Sequence, residues 1–122
     1  MNLKKMPYGL TVCKLSDVKE INPNATFYFL SRTDEEISLV CKSEDVPLTA
    51  VEQEDGWKGF YIEGVLDFSL VGILSKLSGI LAENGIGIFA VSTYNTDYIL
   101  VKKENFDRAM KLLADAEYTV IE

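Results

Sequence analysis

The most regular alternation of apolar and polar positions lies between residues 57 and 122. Trp57 to Leu66 (WKGFYIEGVL) is dense in aromatic and branched residues, which predicts a strand. Asp67-Phe68-Ser69 follows, with N-cap chemistry at Asp67 or Ser69. From there Leu70, Ile73, Leu74, Leu77, Ile80 and Leu81 recur at steps of three and four, the apolar stripe of one α-helix. Asn84-Gly85 ends it, with Gly85 suited to a left-handed position after the last turn. Ile86 to Thr93 (IGIFAVST) is a nearly continuous apolar run, as in a covered strand. Tyr94-Asn95-Thr96 predicts a turn and Asp97 to Lys102 the returning strand of a hairpin. Glu104 to Ala116 reads as a second helix on the stripe Phe106, Ala109, Met110 and Leu113, with Glu104 and Asp107 at the positive end of its dipole. Glu117 to Ile121 closes the pattern as a strand.

Strand, helix, strand, strand, helix, strand is the order of an α+β, ferredoxin-like βαββαβ sandwich, with both helices on one face of an antiparallel sheet. Residues 8–56 are less regular. Tyr8–Leu15, Thr26–Ser31, Ile37–Lys42 and Thr49–Glu54 read as strands, while Val18–Ile21 and Ser43–Val46 have room for one helical turn each. Two offsets relate the halves. A shift of 60 lays Ile37–Glu44 on Asp97–Glu104, and a shift of 50 lays Leu10-Thr11-Val12 on Phe60-Tyr61-Ile62 and Asp17 on Asp67. The first half thus reads as a second copy of the unit whose first helix is cut to about one turn. The expected organisation is a tail over 1–7, a degenerate unit over 8–56 and a full unit over 57–122.

Composition narrows the function classes. Twelve Lys and Arg against 19 Asp and Glu give a net charge of −7, the wrong sign for a nucleic-acid face or an anionic membrane surface. No apolar stretch suits a membrane span, because Val65 to Ala82 is broken by Asp67, Ser69, Ser75, Lys76 and Ser78; the first residues lack a secretory core, so the expected address is the cytoplasm. Histidine is absent, which removes the usual base for a serine or cysteine nucleophile and the commonest metal ligand. Cys13 and Cys41 each sit in an apolar strand-like run and read as buried, reduced thiols. Asp34-Glu35-Glu36 and Glu52, Glu54, Asp55 read as solvated loop charge without apolar shelter to raise a pKa. No cofactor, metal or catalytic constellation is expected.

The segments Gly64–Leu74, Leu77–Tyr94 and Asn95–Val101, with a helix ending AENGI, a strand IFAVSTY and a hairpin NTDYILV, resemble the ACT domain, a βαββαβ module that binds amino acids and regulates metabolic enzymes. They look like the tandem ACT proteins related to aspartate kinase regulatory regions and to the CASTOR arginine sensors. The resemblance implies a ligand site formed by the loop from the first strand into the first helix and the start of the following strand and hairpin. On this sequence those are Leu66, Asp67, Phe68, Ser69, Val71 and Gly72, then Ile86, Gly87 and Ile88, then Thr93, Asn95, Thr96 and Asp97.

The chemistry of these residues is compatible with a free amino acid. The helix start supplies N–H donors to a carboxylate. Asp67 and Asp97 offer acceptors to an ammonium, although Asp67 equally suits a plain N-cap and Asp97 a solvated hairpin residue. Gly72 and Gly87 serve either backbone approach or local turn geometry. The expected function is a small-molecule sensor without catalytic activity of its own, acting on a partner enzyme or as a homodimer. The alternative is a module that pairs or docks without any ligand.

Overall fold

The computed structural model describes residues 1–67 and 69–122. The chain runs through β1 (Asn2–Lys5), β2 (Leu10–Leu15), β3 (Tyr28–Arg32), β4 (Ile37–Lys42), β5 (Glu52–Ile62), α1 (Ile73–Glu83), β6 (Phe89–Ser92), β7 (Asp97–Lys102), α2 (Lys103–Asp115) and β8 (Thr119–Ile121), with single 3-10 turns at Val18–Glu20 and Ser43–Asp45. It divides into two compact units, one made of Met1–Pro7 with Lys58–Glu122 and one of Tyr8–Trp57. The fold class is α+β and ferredoxin-like.

The helix-bearing unit has strand order β6-β7-β5-β1-β8. β1 lies antiparallel to β5, with Leu3 opposite Ile62, and parallel to β8, with Leu3 opposite Val120. Residues 1–7, expected as a tail, therefore supply an internal strand. Nothing in N-L-K-K announces this, since its pleat becomes apolar only at Leu3, which is fully buried. The core joins Leu3, Phe60 and Ile62 with Leu77 and Leu81 of α1, Ile99 and Val101 of β7, and Phe106, Ala109, Met110 and Leu113 of α2. The buried positions on both helices are those of the sequence stripes, and each large apolar side chain contributes about 1.5–3 kcal/mol relative to exposure.

α1 starts at Ile73, later than the cap chemistry of Asp67 and Ser69 suggested. Those groups are used in a turn instead, and the N-cap is Gly72, at φ 78°, with no side-chain cap. Gly85 does take the left-handed position after α1, at φ 73°. α2 ends in a Schellman arrangement: the Tyr118 N–H reaches the Leu113 carbonyl at 3.0 Å and the Glu117 N–H reaches that of Ala114 at 3.0 Å. Glu117 occupies the left-handed position there, at φ 76°, where glycine is the usual residue.

The other unit has strand order β3-β4-β2-β5, all neighbours antiparallel. The 3-10 turns stand where the helix-bearing unit has its helices. Val18–Glu20 is fixed by a capping box, Asp17 accepting from Lys19 N–H at 2.9 Å while Glu20 accepts from Asp17 N–H at 2.8 Å. Cys13, Leu15, Leu39 and Cys41 form its core cluster. Both thiols are free and buried. Burial pushes the Cys13 thiol up, and pushes Cys41 up to about 12.

Candidate functional site

The connection from β5 to α1 and the β6–β7 hairpin stand side by side in the helix-bearing unit. Asp67 Oδ1 accepts the Ser69 N–H at 2.8 Å, and the Leu70 N–H closes a turn on the Asp67 carbonyl at 3.0 Å. The Ser69 backbone N–H, and then its hydroxyl, hold the Asp67 carboxyl below its ordinary value. Among the described residues the two segments are joined where Leu66 N–H donates to the Asn95 carbonyl at 2.7 Å.

The hairpin is fixed from inside. Thr93 N–H and Thr93 hydroxyl both donate to the Thr96 carbonyl, at 2.8 and 2.9 Å. The Thr96 hydroxyl, buried, donates to the Ile62 carbonyl at the end of β5, at 2.6 Å. On the cross-strand pair beside the turn, the Ser92 hydroxyl donates to Asp97 Oδ1 at 2.5 Å.

Between these segments and the start of α1 lies a cleft of about 320 Å³. Of the expected site residues it is lined by Leu66, Asp67, Gly72, Thr93, Asn95, Thr96 and Asp97. It also takes in Leu70 and Tyr94, which lie inside the loop and hairpin expected to form the site, Ser92, whose hydroxyl suits such a contact, and Ile73, Leu74 and Ser75, which the sequence pattern does not single out for the site. Ile73 to Ser75 were missed because α1 was started too early.

The remaining expected residues lie elsewhere. Val71 faces a second cavity of about 370 Å³, shared with Gly72, Ile73, Lys76, Glu117 and Tyr118. Ser69 is exposed and lines neither cavity. Ile86 is buried in the core, Ile88 packs against that core, and Gly87 is exposed beside them; none of these three lines the cleft. The reason is that β6 begins only at Phe89, so the segment before it serves to seal the end of α1. Phe68 lies outside the described residues.

The cleft offers donors and acceptors of opposite kind. Among the described residues no side chain caps the start of α1, whose first N–H groups stand at the positive end of the helix dipole. Asp67 and Asp97 supply carboxylate oxygens. Exposed Leu70 and Tyr94 add apolar surface at the rim. Among the described residues no group of three His, Cys, Asp or Glu side chains is placed to hold a metal ion. Nor is any helix among them long and apolar enough to cross a membrane.

The ACT domain family model matches residues 52–115. The chain belongs to the ACT domain family. An Agobacterium tumefaciens protein of known crystal structure shares 30% identity with a TM-score of 0.86, over 98% of this ACT chain and 91% of its own. A Vibrio cholerae protein described as a possible transport protein shares 23% identity with a TM-score of 0.71, over 91% and 85%. The ligand-free regulatory subunit of aspartate kinase from Thermus thermophilus, at 11% identity and a TM-score of 0.60, covers 89% of the ACT chain and 93% of its own and is similar in fold. No curated protein matches the ACT chain.

Proposed function

We propose that this ACT protein is a regulatory module that binds a free amino acid in the cleft between α1 and the β6–β7 hairpin and carries no catalytic activity of its own. The observation that carries the reading is the cleft itself. An uncapped helix start faces a ligand carboxylate, and the Asp67 and Asp97 oxygens receive its ammonium. Family membership supports a ligand-binding regulatory role in general; the amino-acid identity is the finer step. Differential scanning fluorimetry across the proteinogenic amino acids tests it. A binder present at about 100 times its Kd raises stability by about 2.7 kcal/mol, and no shift with any amino acid at millimolar concentration would refute the proposal.

The reading extends to a tandem arrangement. Its support is a hydrogen bond repeated at the shift of 60: Thr33 N–H donates to Glu36 O at 2.9 Å and Thr93 N–H to Thr96 O at 2.8 Å, each just before the strand, Ile37–Lys42 or Asp97–Lys102, that the shift superposes. The proposed setting is the cytoplasm, with a partner enzyme or a second copy as the protein partner. The alternative reading, a module that associates without ligand, is favoured by one observation: β6 is a sheet edge that pairs with β7 alone among the described residues.

A further inference from the structure

Asn84-Gly85 ends α1, and nowhere else in the chain does glycine follow asparagine. This pair cyclises readily in a mobile backbone, because glycine has no Cβ to keep its nitrogen from the preceding side chain. Both residues are exposed. The chemistry needs no co-reactant but water. The Gly85 nitrogen, on losing its proton, attacks Asn84 Cγ. A C–N bond forms there, the Cγ–Nδ2 bond breaks, and the amide nitrogen leaves as ammonia. Water then opens the five-membered imide at one or the other carbonyl, giving aspartate or isoaspartate at position 84.

The turn keeps the two reacting groups apart. Asn84 Nδ2 donates back to the Ile80 carbonyl at 2.8 Å. The Gly85 N–H donates to the Ala82 carbonyl at 3.0 Å and the Ile86 N–H to that of Leu81 at 2.9 Å, a Schellman closure with Gly85 at φ 73°. Ring closure needs the Gly85 nitrogen swung toward the Asn84 side chain. At ψ 15° it nearly eclipses the Asn84 amide nitrogen instead and points away from that side chain. Two anchors hold this arrangement. Ile86, 2% exposed, is seated in the core, and Arg108 of α2 donates Nη1 to the Asn84 carbonyl at 3.0 Å.

We propose that Asn84 is a latent site of spontaneous deamidation, held shut by the turn that ends α1 and released when that turn opens. The product changes the local structure in two ways. Either acid replaces the donor to the Ile80 carbonyl with a negative charge at the negative end of the α1 dipole. Isoaspartate also inserts a methylene into the backbone between residues 84 and 85, which the Schellman closure cannot keep. Ile86 then loses its seat, and the segment leading into β6 loosens. A chain whose α1 end has stood open is thereby altered irreversibly, whether or not the cleft takes a ligand.

Peptide mass spectrometry after incubation in mildly alkaline buffer is the test, read as the fraction of residue-84 peptide that has exchanged its amide for a carboxyl. The samples are the folded wild-type chain, the same chain in guanidinium chloride, and folded Arg108→Ala, with circular dichroism verifying the folded state of the first and last. Reaction from an opened state scales with the population of that state. The deamidation half-life is expected to be at least about ten-fold longer in the folded wild type than in denaturant, with Arg108→Ala between the two. The deamidated chain, isolated by its extra negative charge, is expected to unfold at lower denaturant concentration. A folded chain that deamidates as fast as the unfolded one, no reaction at residue 84 even in denaturant, or a deamidated chain as stable as its parent would overturn the proposal.

Discussion

The Thr96 hydroxyl donates to the Ile62 carbonyl at 2.6 Å, across 34 residues of sequence, and the bond is buried. It fastens the turn of the β6–β7 hairpin to the end of β5, the point from which the cleft loop departs. Thr96→Val keeps the side-chain shape but removes a buried hydrogen bond to the Ile62 carbonyl, at a penalty of about 0.5–1.5 kcal/mol. The unfolding midpoint in urea is expected to fall accordingly, and Thr96→Ser to restore most of it. If valine and serine behave alike, the hydroxyl does not fix the hairpin.

Glu117 tests the opposite direction. A non-glycine residue in the left-handed region carries a penalty of about 1–2 kcal/mol, and Glu117 sits there at the end of α2. Glu117→Gly is expected to stabilise the chain by about 1 kcal/mol, less what the more flexible unfolded chain takes back. Denaturant unfolding at equal slope checks it. A destabilised variant would mean that the glutamate side chain makes a contribution in the second cavity that outweighs its backbone.

Leu3 distinguishes an internal strand from a tail. It is fully buried between β5 and β8 partners, so Leu3→Ala is expected to lose about 2–5 kcal/mol, comparable with Leu77→Ala in α1. Val71→Ala, at 90% exposure, is expected to change stability by less than about 0.5 kcal/mol. A Leu3→Ala variant as stable as Val71→Ala would contradict the placement of β1.

The sequence was most legible where a local pattern and its structural role coincide. Ile37–Lys42 and Asp97–Lys102 appear with the bounds read from the sequence; each is a largely apolar run that lies between two strand neighbours. The stripes of α1 and α2 likewise name their buried residues. The start of α1 was misplaced because Asp67 and Ser69 have the chemistry of a cap and use it in a turn, while the actual start rests on the backbone freedom of Gly72. β1 was illegible because a strand of N-L-K-K is defined by what it pairs with, not by its own composition. At the cleft the loop and hairpin residues came out of the pattern, whereas Ile86 to Ile88 did not join them, because the apolar run that suggested a strand from Ile86 belongs in part to the core.

Acidity and alkalinity act through different groups. Glu20 is held below its ordinary value, first by the Ser16 hydroxyl and then by that of Thr49, and Asp67 by Ser69. A carboxyl whose folded pKa is depressed adds stability that is present above its unfolded value and lost as pH falls through the folded one. Stability is therefore expected to decline as pH drops below the reference values of 4.5 for Glu20 and 3.8 for Asp67, and Glu20→Gln to flatten part of that decline. Cys41 works at the other end. Its thiol is pushed up to about 12, so the folded state holds the proton that the unfolded chain releases near 9.0, and stability falls as pH rises through that window. Unfolding midpoints from pH about 3 to 11, with Cys41→Ala as the alkaline control, read both limbs; a flat alkaline limb in the wild type would contradict the burial of Cys41.

Central to the account is a zwitterion held between the α1 start and the hairpin. Amide-resolved NMR titration with the amino acid that gives the largest thermal shift tests this most directly. Saturable shifts are expected first in residues 66–75 and 92–97, with affinity reduced at least about ten-fold in Asp97→Asn, about 1.4 kcal/mol. Saturable shifts elsewhere with residues 66–75 and 92–97 unmoved, or an Asp97→Asn affinity equal to wild type, would contradict it.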